Sequence, residues 1–271
     1  MKIRIISGLI GVLILVGVLF LNETIVYPIC IAAISVIALF ELFKAYDCLK
    51  YRISFGASCI AAIANPICYF YNKLSIVNAV IVFAVMLIFL ECIIRHSIQK
   101  FNQTAFMLAV TMLIIKSMGM LVCLKQMDSN YGLIYVILAL SSAWVADTGA
   151  YFAGTFFGKH KLCPNISPKK TIEGLCGGIL LTIIAFVVFS LIYSNITEAT
   201  VQYIWLVVIA IVCALVGVLG DLSASILKRQ RGIKDFGNIM PGHGGVMDRF
   251  DSVLFTLPVF YALNLLIPIY K

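Results

Sequence analysis

The densest run of groups able to do chemistry lies between residues 220 and 251. It reads Gly220-Asp221, then Ser225 and Lys228-Arg229, then Lys234-Asp235, and ends Gly242-His243-Gly244-Gly245-Val246-Met247-Asp248-Arg249-Phe250-Asp251. Asp221 closes a long apolar stretch, where a carboxylate is costly unless paired or metal-bound and so is functional by default. If that helix runs on, Ser225 and Lys228 follow at i+4 and i+7 and share its face. Asp248 and Asp251 stand three apart and share a face wherever that turn is helical. Carboxylates contributed by two different helices suit one hard cation with oxygen ligands, as phosphoryl transfer requires. The plainer interpretation is that these acids are interfacial charges neutralised by Arg229, Lys234 or Arg249.

The glycines favour a site. Gly244 and Gly245 precede a helix start, so successive amides can approach an oxyanion and the helix end adds favourable potential. His243 either donates to a phosphate, or acts as a general acid, or merely orders its loop, and the sequence leaves these open.

A second cluster lies upstream. Asp147, Tyr151 and Gly154 recur at helical spacing at the end of another apolar run. The following loop carries Lys159-His160-Lys161 and then Ser167-Pro168-Lys169-Lys170-Thr171-Ile172-Glu173-Gly174. Ser167 reads as a helix N-cap with Pro168 in the first helical position. That places Lys169 and Lys170 at the positive end of a helix, an array that invites a polyphosphate; the alternative is a basic loop that only obeys topology.

The elements that must hold these residues are dictated by composition. The 271 residues are 62% hydrophobic and 12% charged, with mean hydropathy +1.08, against roughly 45–50% apolar and about 25% charged in soluble domains. Runs of about 20 apolar residues, enough to cross a bilayer, recur along nearly the whole chain. They predict an all-α polytopic membrane protein of about nine spans, near 3–21, 25–43, 53–71, 74–94, 105–125, 133–156, 174–194, 202–220 and 252–270. One integral membrane domain, 1–271, is expected, with N-terminal spans over 1–130 and a catalytic half over 131–271. The nine scattered cysteines contain no CxxC pair and read as small buried hydrophobes rather than a disulfide frame or a zinc site. Gly174, Gly177 and Gly178 form a small-residue face for close helix packing.

Positive residues are retained on the cytoplasmic side. With the N terminus inside, sixteen of the twenty lysines and arginines fall on the inner side; only Lys73, Lys125 and Lys271 lie outside and Lys116 within a span. Both polar clusters then face the cytoplasm. The net charge of +8 answers topology, anionic lipid head groups and phosphate substrates, with no nucleic acid required.

From Ser225 to Asp251 the chain runs Ser, any residue, apolar, Lys-Arg, four residues, Lys-Asp, and later His-Gly-Gly, apolar, any residue, Asp-Arg, apolar, Asp. In this it resembles the phosphatidate cytidylyltransferases, or CDP-diacylglycerol synthases. The Asp147 segment and Ser167–Gly174 are also similar to that family, so the resemblance covers roughly residues 140 to 255. It implies attack by the phosphate of phosphatidic acid on the α-phosphorus of CTP, with release of pyrophosphate, at the inner face of the lipid bilayer. It further implies Mg²⁺, with K⁺ beside it, and Asp221 and Asp248 as its ligands. Asp251 would be a nearby acid, and Lys228, Arg229, Lys234 and Arg249 phosphate binders. Catalytic roles are assigned to Asp221, Asp248, Asp251, Lys228 and His243. Substrate contacts are assigned to Ser225, Arg229, Lys234, Arg249, Gly244, Gly245, Asp147, Ser167, Lys169 and Lys170, while a homodimer is left open. The rival readings are a CTP-dependent polyprenol or phytol kinase and, in another class, an ion-coupled transporter using Asp147, Asp221 and Lys116.

Overall fold

In hydrocarbon an apolar run must satisfy its own amides, which a helix does residue by residue. The computed structural model follows that rule and describes residues 2–242 and 244–271, with side chains from Ser7 onward. The helices are α1 (Lys2–Phe20), α2 (Val26–Ala45), α3 (Arg52–Phe70), α4 (Leu74–Ile94), α5 (Phe101–Met127), α6 (Gly132–Phe157), α7 (Ile172–Thr197), α8 (Tyr203–Gln230), α9 (Met247–Phe250) and α10 (Val253–Leu266). Among the described residues eight helical stretches are long and apolar enough to cross a membrane, the last running Met247–Leu266 across a short break. The apolar part of α1, Ser7–Phe20, is shorter.

Three local departures from the expected pattern have physical causes. The last helix stops at Leu266 instead of reaching residue 270. Pro268 disfavours helical geometry in the residue before it, and Ile267 is extended accordingly, with φ −143° and ψ 87°. The chain then pairs back, Gln202 N donating to Ile269 O at 2.8 Å and Lys271 N to Thr200 O at 3.0 Å. Secondly, α8 runs ten residues beyond the expected end at 220. At 1.5 Å per residue its 28 residues extend about 42 Å, more than a bilayer core needs. Thirdly, the polar loop after α6 holds two antiparallel strands, β1 (Lys161–Cys163) and β2 (Ser167–Thr171), in register Lys161↔Thr171 and Cys163↔Ser167. Ser167 is therefore a strand residue and caps no helix. Thr171 caps α7 instead: its backbone is extended, and its side chain accepts the Gly174 amide at 3.1 Å.

The described residues form two compact units, Met1–Gln126 with Ile233–Arg249, and Met127–Gly232 with Phe250–Lys271. In the first, Tyr27 Oη donates to Leu121 O at 3.1 Å and the hydroxyls of Ser58 and Thr111 bond at 2.8 Å, tying α5 to α2 and α3. Glu91, fully buried on α4, accepts Ser54 N at 2.7 Å and pairs with Arg95 at 3.3 Å. Buried acid is thus neutralised within the unit, as a low-dielectric setting demands.

The second unit is built on a close packing of α6 against α7. A Cβ at Gly178 would stand 2.7 Å from Ala146 O, one at Gly174 2.8 Å from Ala150 O, and one at Gly149 2.8 Å from Gly177 O. Backbones at that approach leave no room for a side chain, and the small-residue face expected of Gly174, Gly177 and Gly178 is present. One end of this unit is closed by an aromatic cluster, Tyr131, Tyr135, Tyr193 and Tyr270, with Ser190 Oγ 2.7 Å from Tyr270 Oη. Most of its charged groups gather at the other end, where α6 finishes, α7 begins and α8 runs out.

Candidate active site

In the second unit four segments bring five charged side chains together. Asp221 on α8 forms an ion pair with Lys170, whose strand β2 leads directly into α7. Lys170 is half-buried while its neighbour Lys169 is exposed. Lys228, two turns beyond Asp221, lies 3.7 Å from Asp251 in the turn before α10. Asp251 also accepts Ser252 N at 2.8 Å and lies within electrostatic reach of Asp221 and Asp147. Ser252 Oγ in turn donates to Asp147 Oδ2 at 3.3 Å. Gly220 makes this convergence sterically feasible, because a Cβ there would stand 2.6 Å from Asp251 O and 3.0 Å from Ser252 Cα.

The result is a cluster of three carboxylates and two ammonium groups, in which two ion pairs leave one carboxylate in excess. Ser225 is half-buried and Arg229 exposed on the same helix. Gly154 and Gly174 flank Thr171, and Glu173 accepts the amides of Lys159 and His160 at 3.1 and 3.2 Å, which ties the hairpin to the start of α7.

The first unit holds the glycine-rich loop. Gly242 and Gly244 have φ of +79° and +87°, and Met240 N donates to Gly244 O at 3.0 Å, so the loop is a tight reversal that L side chains resist. Lys234, Asp235, Asn238, Gly242, Gly244 and Arg249 line a cavity of about 570 Å³. Asp248, 8% exposed, accepts Phe236 N at 2.8 Å and Gly245 N at 3.0 Å on one oxygen, Oδ2. The Gly245 amide thus has an acceptor inside the protein. His243 lies outside the described residues.

Two contributors were not singled out from the sequence. Ser252 follows Asp251 without any signal of its own. Glu41 did carry one: it is an acid inside the apolar run 25–43, and the cost argument that marks Asp221 applies to it equally.

Among the described residues no three His, Cys, Asp or Glu side chains surround a point that would hold a metal ion. The donors present are nonetheless oxygen-only, as a hard cation requires, and Mg²⁺ characteristically takes one or two carboxylates and leaves its remaining positions to water and substrate phosphates. The chain is 33% identical over 267 residues, 97% of each sequence, to the phosphatidate cytidylyltransferase of Bacillus subtilis. It is 39% identical over 177 residues, 65% of each, to that of Staphylococcus saprophyticus, and 46% identical over 136 residues, 50% of each, to that of a Staphylococcus epidermidis strain. The profile of the cytidylyltransferase family matches residues 2–267, which takes in α1 at one end and α10 at the other as well as both charged clusters. A nearly full-length match that encloses both clusters of carboxylates, lysines and arginines on a polytopic helical frame leaves one conclusion, that this chain belongs to the cytidylyltransferase family.

Proposed function

We propose that this protein transfers CMP from CTP to phosphatidic acid, giving CDP-diacylglycerol and pyrophosphate. The observation that carries the reading is the gathering of Asp147, Asp221 and Asp251 with Lys170 and Lys228 at one end of the second unit. Such a reaction needs little covalent help. The nucleophile is already a phosphate oxyanion; its oxygen forms a bond to the α-phosphorus of CTP while the bond from that phosphorus to the bridging oxygen breaks. What the protein must supply is relief of anion repulsion and alignment.

Lys170 and Lys228 are each held against a carboxylate, so both are fixed in place before any phosphate arrives. Lys228, Arg229, Lys234 and Arg249 are proposed as phosphate binders, the last two from the wall of the cavity in the first unit. Asp221 and Asp248 are proposed as the carboxylates that hold Mg²⁺, and Asp251 as the acid that keeps Lys228 in position. Mg²⁺, when bound, supplies charge neutralisation at the phosphates. The lysine and arginine distribution supports a cytoplasmic placement of these groups, with the acyl chains of the lipid left in the bilayer. A single cysteine in place of Lys169, on a cysteine-free background, tests that placement by its access to impermeant thiol reagents in sealed vesicles of either orientation.

Labelled CTP tests the chemistry. Label at the α-phosphorus is expected to enter the lipid in the presence of phosphatidic acid and Mg²⁺, and to stop entering when a chelator is added. Lipid labelled instead from the γ-phosphorus would make the protein a lipid kinase and overturn the reading.

A further inference from the structure

We propose that Glu41 is a positioning residue of the first unit, acting as a clasp that fixes the loop carrying Asp248. Glu41 lies on α2, about one turn before that helix ends at Ala45, and is only 2% exposed. Its two oxygens take two consecutive amides: Val246 N donates to Oε1 at 3.1 Å and Met247 N to Oε2 at 2.8 Å. The amide immediately before them, Gly245 N, donates to Asp248 Oδ2 at 3.0 Å. Three successive backbone donors are therefore consumed by two carboxylates, one distant in sequence and one within the loop.

The loop's glycines answer to the same carboxylate. A Cβ at Gly237 or at Gly245 would collide with the Glu41 side chain, its Cδ standing 2.6 Å away in each case. Two strands of loop, on either side of the turn at Gly242 and Gly244, thus close over one buried acid, and each needs a glycine to do so. Phe236 N, next to Gly237, bonds Asp248 Oδ2 at 2.8 Å. Glu41 and Asp248 consequently share one framework: the first holds the amides that lead into α9, and the second is presented one residue later. A carboxylate buried in an apolar helix is costly, and here the compensation is a fixed geometry for its neighbour.

The proposal rests on the reading that Asp248 serves Mg²⁺-dependent cytidylyl transfer. Partners that orient a ligating carboxylate typically contribute roughly 10–100-fold to metal affinity or activity. Glu41→Gln replaces one acceptor oxygen by a donor, so one buried amide loses its partner. The Mg²⁺ concentration for half-maximal rate is expected to rise roughly tenfold or more, with KM for phosphatidic acid unchanged. Loss of folded protein alone would lower the maximal rate and leave the Mg²⁺ requirement where it is.

Hydrogen–deuterium exchange of the peptide spanning residues 244–248, measured in detergent without substrate or metal, gives a readout independent of activity. Exchange is expected to accelerate in Glu41→Gln, and in Gly245→Ala, which displaces the clasp from the loop side. The double variant is expected to be little worse than either single one, because both remove the same contact. An unchanged exchange rate in Glu41→Gln, or an unchanged Mg²⁺ requirement alongside faster exchange, would overturn the proposal. Absence of CMP transfer by the parent protein would instead overturn the underlying reading, and the exchange result would stand apart from it. Should Glu41→Gln fail to fold, Gly245→Ala carries the same test.

Discussion

Lys228 Nζ lies 3.7 Å from Asp251 Oδ2, with the two side chains 13% and 8% exposed. A pair at that burial is poised: the charges suit one another, but neither is well solvated if the other is lost. Lys228 belongs to the part of α8 that outruns a bilayer core, and Asp251 to the turn that breaks the last membrane-crossing stretch. One element is extended and the other interrupted where the chemistry is proposed, and each places an ionisable group there in consequence.

Removing one member should therefore cost more than removing both. Lys228→Ala is expected to destabilise the protein in detergent by about 3–5 kcal/mol, the cost of leaving a buried charge uncompensated, and to raise the CTP or phosphatidic acid concentration needed for half-maximal rate. Lys228→Met with Asp251→Asn should recover most of the melting temperature while activity stays low. Melting curves for the two variants, set beside their substrate titrations, separate the structural part of the effect from the phosphate-binding part. An unchanged dependence on both substrates would remove Lys228 from the binding set.

Asp221→Asn is expected to lower Mg²⁺-dependent turnover to below about one hundredth of the parent rate, the scale on which a single preorganised electrostatic group contributes. Its ion pair with Lys170 is only partly buried, at 25% and 21% exposure, so the variant should remain folded and inserted. Substantial activity in the purified variant would end the assignment of Asp221 as a ligand.

The helical frame was legible because apolar length and the need to satisfy backbone amides leave few alternatives in a membrane. The charged positions were legible for a related reason: an acid at the edge of hydrocarbon, as at 221, is too expensive to be incidental. What escaped was pairing at a distance. Nothing local to Val246 and Met247 announces that a carboxylate some two hundred residues earlier accepts their amides. Likewise Gly245 reads as freedom for a ligand to approach, whereas the structure shows Glu41 in the space a Cβ would need. The misplaced cap at Ser167 has a local cause. Ser-Pro is equally at home at a helix start and in a short edge strand, and pairing with Cys163 selects the strand.

That correction is testable by stability. Thr171→Ala removes the acceptor for the Gly174 amide and is expected to cost about 0.5–2 kcal/mol, with Thr171→Ser retaining most of it. Ser167→Ala should leave the melting temperature within the range of surface substitutions, about 0.5 kcal/mol either way. A larger loss at Ser167 than at Thr171 would restore Ser167 as the cap.

The glycine contact of α6 with α7 makes the last prediction, because it joins packing to the site. A Cβ at Gly178 would press on Ala146 O at 2.7 Å, and backbone cannot move aside as a flexible side chain can. Gly178→Ala is therefore expected to cost about 1–3 kcal/mol by overpacking. Ala146 precedes Asp147, whose carboxylate Ser252 meets at 3.3 Å, so the same substitution should depress the rate by displacing that acid from the cluster. Gly56→Ala provides the contrast. Gly56 is also within a helix, but a Cβ there meets nothing within 4 Å, and the gain in helix propensity should leave the protein equally stable or more stable by up to about 1 kcal/mol. Melting temperatures and specific activities of the two variants, prepared in the same detergent, decide the matter: equal behaviour would mean that the close approach of α6 and α7 is not what holds Asp147 in place.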